Sequence, residues 1–494
     1  MLKTGLGNDI SAICFLLLLY FLQGVPLGLG ASIPLLLQKA GVTYAQQAVF
    51  TFAGYPFSFK FLWSGLVDSL YIRHIGRRKS WLFPVQLLIG IFLIFLSVRI
   101  DFLLESKNVA VLAACFFILN FLVATQDIVV DGWALTLLSR RNAGAAANCN
   151  AAGQTLGAFF GYGFFMALSD PEFCNKWLRS ESSPNPMITT ASFFAFWGTA
   201  FIGLTILIAA LKSEKNDVSL KPPPLKETYK TMVDIFKLSS VKTLVLLWFT
   251  CNIGSAVAGE ASMLKLTERG MSRSTLALLS SYLAPIRILL PMAIERFTSK
   301  RALTCWTITA VYGLLSAATS PLIIHFMPKM VLDGTSMYII VFLSFLDSIF
   351  GTVNFVSTMS FHAQISDPVL GGVYMTLLNS AANFGGSWPE TFALWTLDKI
   401  GDSPIEEPFN LTKIENGEQV LSDFYKWDPI FSLSIICTIL GILWFAIFAR
   451  KLFYLQNLPK KSWLVAHSGS SDKHTSDISY YPLLDDDMAS NVIL

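Results

Sequence analysis

Apolar residues in this chain come in long runs, not in the narrow stripes of soluble amphipathic helices. Runs long enough to cross about 30 Å of hydrocarbon as helices lie at 10–37, 44–67, 80–100, 109–138, 144–168 and 188–211. They resume at 242–264, 274–294, 302–326, 337–362, 369–397 and 427–450. The pattern predicts twelve transmembrane helices in two sets of six. The gap between the sets, Lys212 to Lys242, carries seven Lys and the triplet Pro222-Pro223-Pro224, which is the composition of a charged, semi-extended linker. The expected organisation is an N-terminal six-helix bundle over 1–211, a cytoplasmic linker over 212–241, a C-terminal six-helix bundle over 242–451 and a disordered cytoplasmic tail over 452–494.

Composition narrows the class. Of 494 residues, 53% are hydrophobic and 14% charged, against about 25% charged in ordinary soluble proteins. The fold class expected is all-α and integral to the membrane. A basic run interleaved with aromatics, the mark of a nucleic-acid surface, does not occur. Of the seven Cys, Cys174 alone sits in a loop, so no disulfide framework is implied. The five His are scattered and no CxxC occurs, so neither a metal nor a cofactor is expected. The N-terminus has a single Lys and no small-residue cleavage site before its long apolar run, which reads as a first transmembrane helix and not as a removed signal peptide.

Charge sets the orientation. With both termini on one face, that face takes Lys3, the Arg73/Arg77/Arg78/Lys79, Arg140/Arg141 and Arg296/Lys300/Arg301 loops, the linker and the tail. This is the larger share of the basic residues, so both termini are expected in the cytoplasm. The opposite loop, Asp398 to Asp428, contains Asn410-Leu411-Thr412, a glycosylation acceptor on the face where glycosylation occurs.

The two sets of six also look related. Asn150 to Gly157 (NAAGQTLG) resembles Asn379 to Gly386 (NSAANFGG), in the fifth and eleventh spans. Asp68 with its basic residues and Trp81 likewise resembles Glu295 with Lys300, Arg301 and Trp306. Repeated halves related by a pseudo-twofold axis are a transporter architecture, with substrate bound between the repeats near mid-membrane.

Ionisable groups inside spans mark functional candidates. In the fourth span, TQDIVVDGW places Asn120, Ala124, Asp127 and Asp131 on one stripe at 100° per residue. Asp131 also lies near the end of the run, where it could merely anchor the helix beside Arg140 and Arg141. Lys60 and Arg287 are the two cations away from span ends, each eight residues before an acidic residue, Asp68 or Glu295. A cation from each half suits a polyanionic substrate, and the Arg fork suits phosphate; alternatively the cations neutralise Asp127 or Glu260, since buried charges are normally paired. In the first span, Gln23 opens a segment of small residues punctuated by Pro26 and Pro34, a candidate bending or binding site. Gly153, Gly157 and Gly161 have the four-residue spacing of close helix packing. Asn379 and Asn383 share one face of the eleventh span and are candidate substrate contacts, with Glu390 a further polar group there. The Asp68, Arg77 and Arg78 loop resembles the signature of the major facilitator superfamily between its second and third helices, where such charges latch the cytoplasmic ends of the halves.

Several stretches together, ATQDIVVDGWALTLL, LQGVPLGLGASIPLLLQ, GRRKSW, the segment from Glu172 to Arg179 and SDPVLGGVYMTLLNSAANFGGSWPETFALW, resemble the acetyl-coenzyme A transporter family of the major facilitator superfamily. The resemblance implies alternating-access transport of acetyl-CoA from cytosol to endoplasmic reticulum lumen, with CoA as counter-substrate, the bilayer as setting and a second copy of the chain as a candidate partner. It casts Lys60, Arg287, Gln23, Asn379 and Asn383 as substrate contacts. Because Asp127 and Asp131 would repel phosphates, they become, with Asp68, Arg77, Arg78 and Glu260, gating or coupling groups, the two aspartates partnering Lys60, Arg140 or the Arg77/Arg78 cluster. Two other functions remain in view. One is carriage of another organic anion or a muropeptide-like solute. The other is a membrane-embedded acyltransferase, for which His362 is the best general-base candidate.

Overall fold

A computed structural model describes residues 9–138, 145–212, 214, 224–268, 271, 273–326, 334–366, 371–400, 414–415, 418–419 and 429–465. Apart from a two-residue antiparallel pairing of Ile414–Glu415 with Glu418–Gln419, these form helices. Among the described residues, seven helices are long and apolar enough to cross a membrane by length and composition. Of the other expected spans, the eleventh is a continuous but less apolar helix, and the rest are shorter or interrupted.

The first helix, α1 (Ile10–Lys39), runs through Pro26 and Pro34. The second expected span is broken into α2 (Tyr44–Thr51), a 3₁₀ turn at Phe52–Gly54, α3 (Pro56–Phe59) and α4 (Phe61–Ser69). Thr43 caps α2 in a reciprocal box with Gln46. Next come α5 (Lys79–Glu105), α6 (Val109–Leu137) and α7 (Ala145–Ala158), which passes through a π turn at Phe159–Phe164 into α8 (Phe165–Leu168). After the short α9 (Pro171–Trp177), α10 (Thr190–Leu211) completes the first set.

The linker is less extended than its prolines suggest. Its second half is α11 (Leu225–Lys237), whose buried Thr228, Met232 and Ile235 lie along one face. In the second set, the expected first span is again interrupted: α12 (Ser239–Thr250), a 3₁₀ turn at Ile253–Ser255 and α13 (Glu260–Glu268). The next two expected spans form one continuous run, α14 (Arg273–Phe326), whose backbone leaves the helical region at Arg301 (φ −140°, ψ 56°). Then follow α15 (Gly334–Ile365), α16 (Gly371–Ile400) and α17 (Pro429–Gln456). The chain beyond α17 stays packed through a 3₁₀ turn at Lys460–Trp463, where Trp463 is buried. The described start of the tail, 452–465, is therefore docked, contrary to the expectation of disorder.

Glycine decides how closely the helices approach. A Cβ on Gly157 of α7 would lie 2.1 Å from the Phe21 carbonyl oxygen of α1, and one on Gly161 would lie 2.2 Å from that of Val25. In the second set, a Cβ on Gly385 of α16 would lie 1.9 Å from the Trp248 carbonyl oxygen of α12. First and fifth spans thus pack backbone to backbone in each half, as small-residue interfaces allow. Between the halves, α16 packs along α2, α3 and α4, and α14 packs against α7.

Candidate functional site

The polar stripe of α6 is built into a network reaching three other helical segments. Lys60 Nζ, at the α3–α4 junction, pairs with Asp127 Oδ2, and both side chains are buried. Gln23 Nε2 of α1 donates to the other oxygen of Asp127 at 2.6 Å. One turn later, Asp131 Oδ1 accepts from Tyr20 Oη of α1 at 2.8 Å and from Asn150 Nδ2 of α7 at 3.4 Å. Asn120 Nδ2, two turns before the stripe's charges, donates to the Ala53 carbonyl at 2.7 Å. That bond satisfies backbone freed by the break in the second span. Of the partners anticipated for the two aspartates, Lys60 meets Asp127, while Arg140 and Arg141 lie outside the described residues.

The second half carries a related arrangement. Trp248 Nε1 of α12 donates to His362 Nε2 of α15 at 2.8 Å, and His362 Nδ1 meets Asn379 Oδ1 of α16 at 2.7 Å. Because indole is a donor only, His362 Nε2 accepts, its proton sits on Nδ1, and Asn379 accepts that proton. All three side chains are buried. Tyr20, Asp131 and Asn150 occupy the first, fourth and fifth spans of one half; Trp248, His362 and Asn379 occupy the same spans of the other. Asn150 and Asn379 are the residues at which the two halves resemble each other in sequence. The aromatic and fourth-span partners escaped that comparison because they lie more than 15 residues away in the chain, and |i−j| is 111 for Tyr20 and Asp131.

At the Asp68 end of the bundle, Asp68 Oδ1 pairs with Arg77 Nη2 and Arg78 Nη1, each at 2.9 Å. These contacts lie within one half. Burial lowers the Arg78 guanidinium from its usual range, and Asp68 opposes that shift. Arg78 is seated against Gly132 of α6, where a Cβ would come within 2.4 Å of the guanidinium; this explains the glycine between Asp131 and Trp133. Glu214 accepts from the backbone N–H groups of Arg78 and Lys79 at 3.1 and 3.0 Å. Lys79 Nζ reaches the Ala209 and Lys212 carbonyls at the end of α10, where a cation offsets the helix dipole.

The seam between the halves follows α16. Thr51 and Tyr55 meet Thr391 at 2.6 and 3.1 Å, and Asn383 Nδ2 reaches the Phe57 carbonyl at 3.3 Å. Aromatic rings cross it: Phe52 stacks on Tyr55, Tyr55 and Phe59 contact Phe384, and Phe384 continues to Phe249 and Trp388. Toward one end, Ala45 N bonds Asp398 Oδ1 at 2.9 Å, while Gln38 bonds the Leu264 carbonyl and Thr267 of α13. At the other, α11 lies against the second span, with Tyr229 Oη on the Leu62 carbonyl at 2.6 Å and Thr228 on Ser69 at 3.2 Å. A cavity of about 220 Å³ lies along this seam, bordered by Leu27, Phe50, Phe116, Asn120, Ser387 and Glu390. It is smaller than the roughly 300–1,000 Å³ of drug-sized ligand sites.

The candidate residues therefore separate. Gln23, Lys60 and Asp127 form one cluster, Asp131 adjoins it, and Asn379 is committed to His362. Asn383 spans the seam, and Arg287 is exposed on α14, its Nε donating to Ser348 Oγ at 3.0 Å. The side chain of Glu260 and all of Asn410 lie outside the described residues. Sequence reading missed Tyr20, Trp248 and the aromatic rings at the seam.

The family described as "Acetyl-coenzyme A transporter 1" matches residues 12–225, 221–303 and 298–465. An uncharacterised protein of Schizosaccharomyces pombe is 31% identical over 474 residues, covering 94% of this chain and 90% of its own. An uncharacterised membrane protein of Saccharomyces cerevisiae is 28% identical, covering 92% and 97%. The anhydromuropeptide permease of Escherichia coli is 26% identical over 62% of this chain and 58% of its own. Among solved structures, the nucleoside transporter NupG has a TM-score of 0.58 at 14% identity, covering 90% of this chain and 99% of its own. The major facilitator superfamily transporter FucP in its outward conformation has a TM-score of 0.50 at 12% identity, covering 89% and 99%. The fold is thus that of these solved transporters, and the chain belongs to the acetyl-coenzyme A transporter 1 family, a membrane transporter and not an enzyme.

Proposed function

We propose that the protein carries acetyl-CoA from cytosol to endoplasmic reticulum lumen by alternating access at the seam, with CoA as counter-substrate and both termini cytoplasmic. The observation that carries the reading is family membership along nearly the whole chain. The seam supplies the supporting chemistry. Stacked rings there suit an adenine face, and the Arg287 fork on α14, which bonds Ser348 of α15 within the second half, suits phosphate. The present cavity is too small for a nucleotide-bearing thioester, so loading requires the helices along α16 to separate.

In this reading Arg287 and Asn383 contact cargo once the seam opens, whereas Lys60, Gln23 and Asp127 act as a unit. A phosphate that competes for Lys60 has to displace Asp127, which links cargo to the position of α6. Asp68, Arg77 and Arg78 hold the end of the second span against α6. Glycosylation at Asn410 would report the lumenal face. The test is uptake of radiolabelled acetyl-CoA into liposomes containing the purified protein, with and without internal CoA. Saturable uptake, stimulated by internal CoA and weakened by Arg287→Gln, is expected. The likeness to the anhydromuropeptide permease favours a second reading, a muropeptide-like or other organic anion, and absence of acetyl-CoA uptake alongside uptake of such a solute would replace the first.

A further inference from the structure

The charges of the α6 network do not balance. Lys60 offsets Asp127, both buried, which leaves Asp131 one turn away. Among the described residues, the titratable groups facing Asp131 are Tyr20 from α1 and Asp127 and Lys60 across the network, while Arg78 lies beside the neighbouring Gly132. Asn150 faces it from α7 as a neutral amide. Arg78 is already engaged by Asp68, together with Arg77. Among the described residues, an ionised Asp131 therefore leaves one negative charge without a counter-charge in a spanning helix, an expensive state.

Two further observations concern hydrogen. Both donors, Tyr20 and Asn150, converge on Oδ1 of Asp131. Oδ2 accepts from none of the described residues, and the side chain is only half-buried, so that oxygen is open to protonation. Around it, Gln23 Oε1 and Asn150 Oδ1 are buried acceptors that no described group donates to, although Gln23 is fully buried. Leaving such an acceptor unsatisfied costs about 1–3 kcal/mol. The corresponding position in the other half is the neutral His362, satisfied on both ring nitrogens; the imbalance belongs to the N-terminal half.

We propose that Asp131 is a proton-binding site and that the carrier moves a proton together with its anionic cargo. The proton adds to Oδ2 from water on the open face, converting carboxylate to carboxylic acid with no other bond changed. The network then becomes neutral and admits an anion; release of the cargo restores the charge and expels the proton. The coupling rests on the anionic-cargo reading, whereas the proton site does not.

The test has two arms on the full-length protein. Infrared difference spectra between acidic and alkaline pH, taken without cargo, should show a protonated-carboxyl C=O band that Asp131→Asn removes. In liposomes with a trapped pH dye, added acetyl-CoA should acidify the lumen, and Asp131→Asn should abolish acidification and the acceleration of uptake by an inward proton gradient. A band that survives Asp131→Asn, or acidification by that variant equal to the wild type, overturns the proposal. If Asp131→Asn does not fold, Tyr20→Phe, which removes the donor to Oδ1, must displace the band's frequency; an unmoved band also overturns it. A normal band without any acetyl-CoA uptake supports the proton site and removes acetyl-CoA as cargo.

Discussion

Taking either charge away from the Lys60–Asp127 pair leaves the other buried without a counter-charge. Such one-sided breaks typically cost about 3–5 kcal/mol. Lys60→Met and Asp127→Asn should therefore each lower thermal stability in detergent. The double variant should be more stable than either, because it removes both charges, and a double variant as unstable as the sum of the singles would deny the pairing. In transport, Asp127→Asn should impair turnover more than equilibrium binding of acetyl-CoA. Binding that collapsed while turnover per bound molecule stayed normal would make Asp127 a cargo contact. The sequence exposed these charges because ionisable residues stand out in apolar runs. It could not say that Asp131 meets Tyr20 and Asn150, since such partners are set by how α1 and α7 pack on α6. His362 shows the same limit. As an isolated histidine it invited a general-base reading, yet its ring is enclosed between Trp248 and Asn379.

Helices were legible by length and apolarity, but their interruptions were not. The second and seventh spans read as continuous because their breaks, near Phe52–Gly54 and Ile253–Ser255, do not interrupt hydrophobicity. Lipid-spanning segments tolerate such breaks when neighbours satisfy the freed backbone, as Asn120 does for Ala53. The glycines of α7 were read as packing residues from spacing alone, and that reading matches the approach of α1. Gly157→Leu should force α1 and α7 apart and reduce the yield of folded protein, measured by fluorescence-detected size exclusion. Gly203, with open space around its Cβ position, should accept alanine without that loss. The docked tail offers another element-scale expectation. Trp463 packs edge-on to Phe361 with centroids 5.7 Å apart, its carbonyl accepts from Tyr374 at 3.0 Å, and Ser240 bonds the Ser462 carbonyl at 2.7 Å. Trp463→Ala should cost about 3–5 kcal/mol, the usual range for emptying a buried aromatic site, read as a fall in melting temperature. A stop codon after position 465 should leave stability near that of the full chain.

At the scale of the whole molecule, alternating access requires the halves to part along α16 at one end and then at the other. The bonds between the halves that would have to break run along the seam, from Ala45–Asp398 through Thr51–Thr391 to Asn383–Phe57. The hydroxyl oxygens of Thr51 and Thr391 are 2.6 Å apart, close enough for cysteines at these positions to approach disulfide geometry, in which sulfurs lie about 2.05 Å apart. In a background with the seven native cysteines replaced, Thr51→Cys with Thr391→Cys should cross-link under mild oxidation. Because that bond ties α2 to α16, the oxidised protein should lose acetyl-CoA uptake, and reductant should restore it. Each single cysteine should be indifferent to oxidant, which separates locking from chemical damage. Uptake that continued at the wild-type rate in fully cross-linked protein would mean that the helices stay together here throughout the cycle, and the path for cargo would have to lie elsewhere.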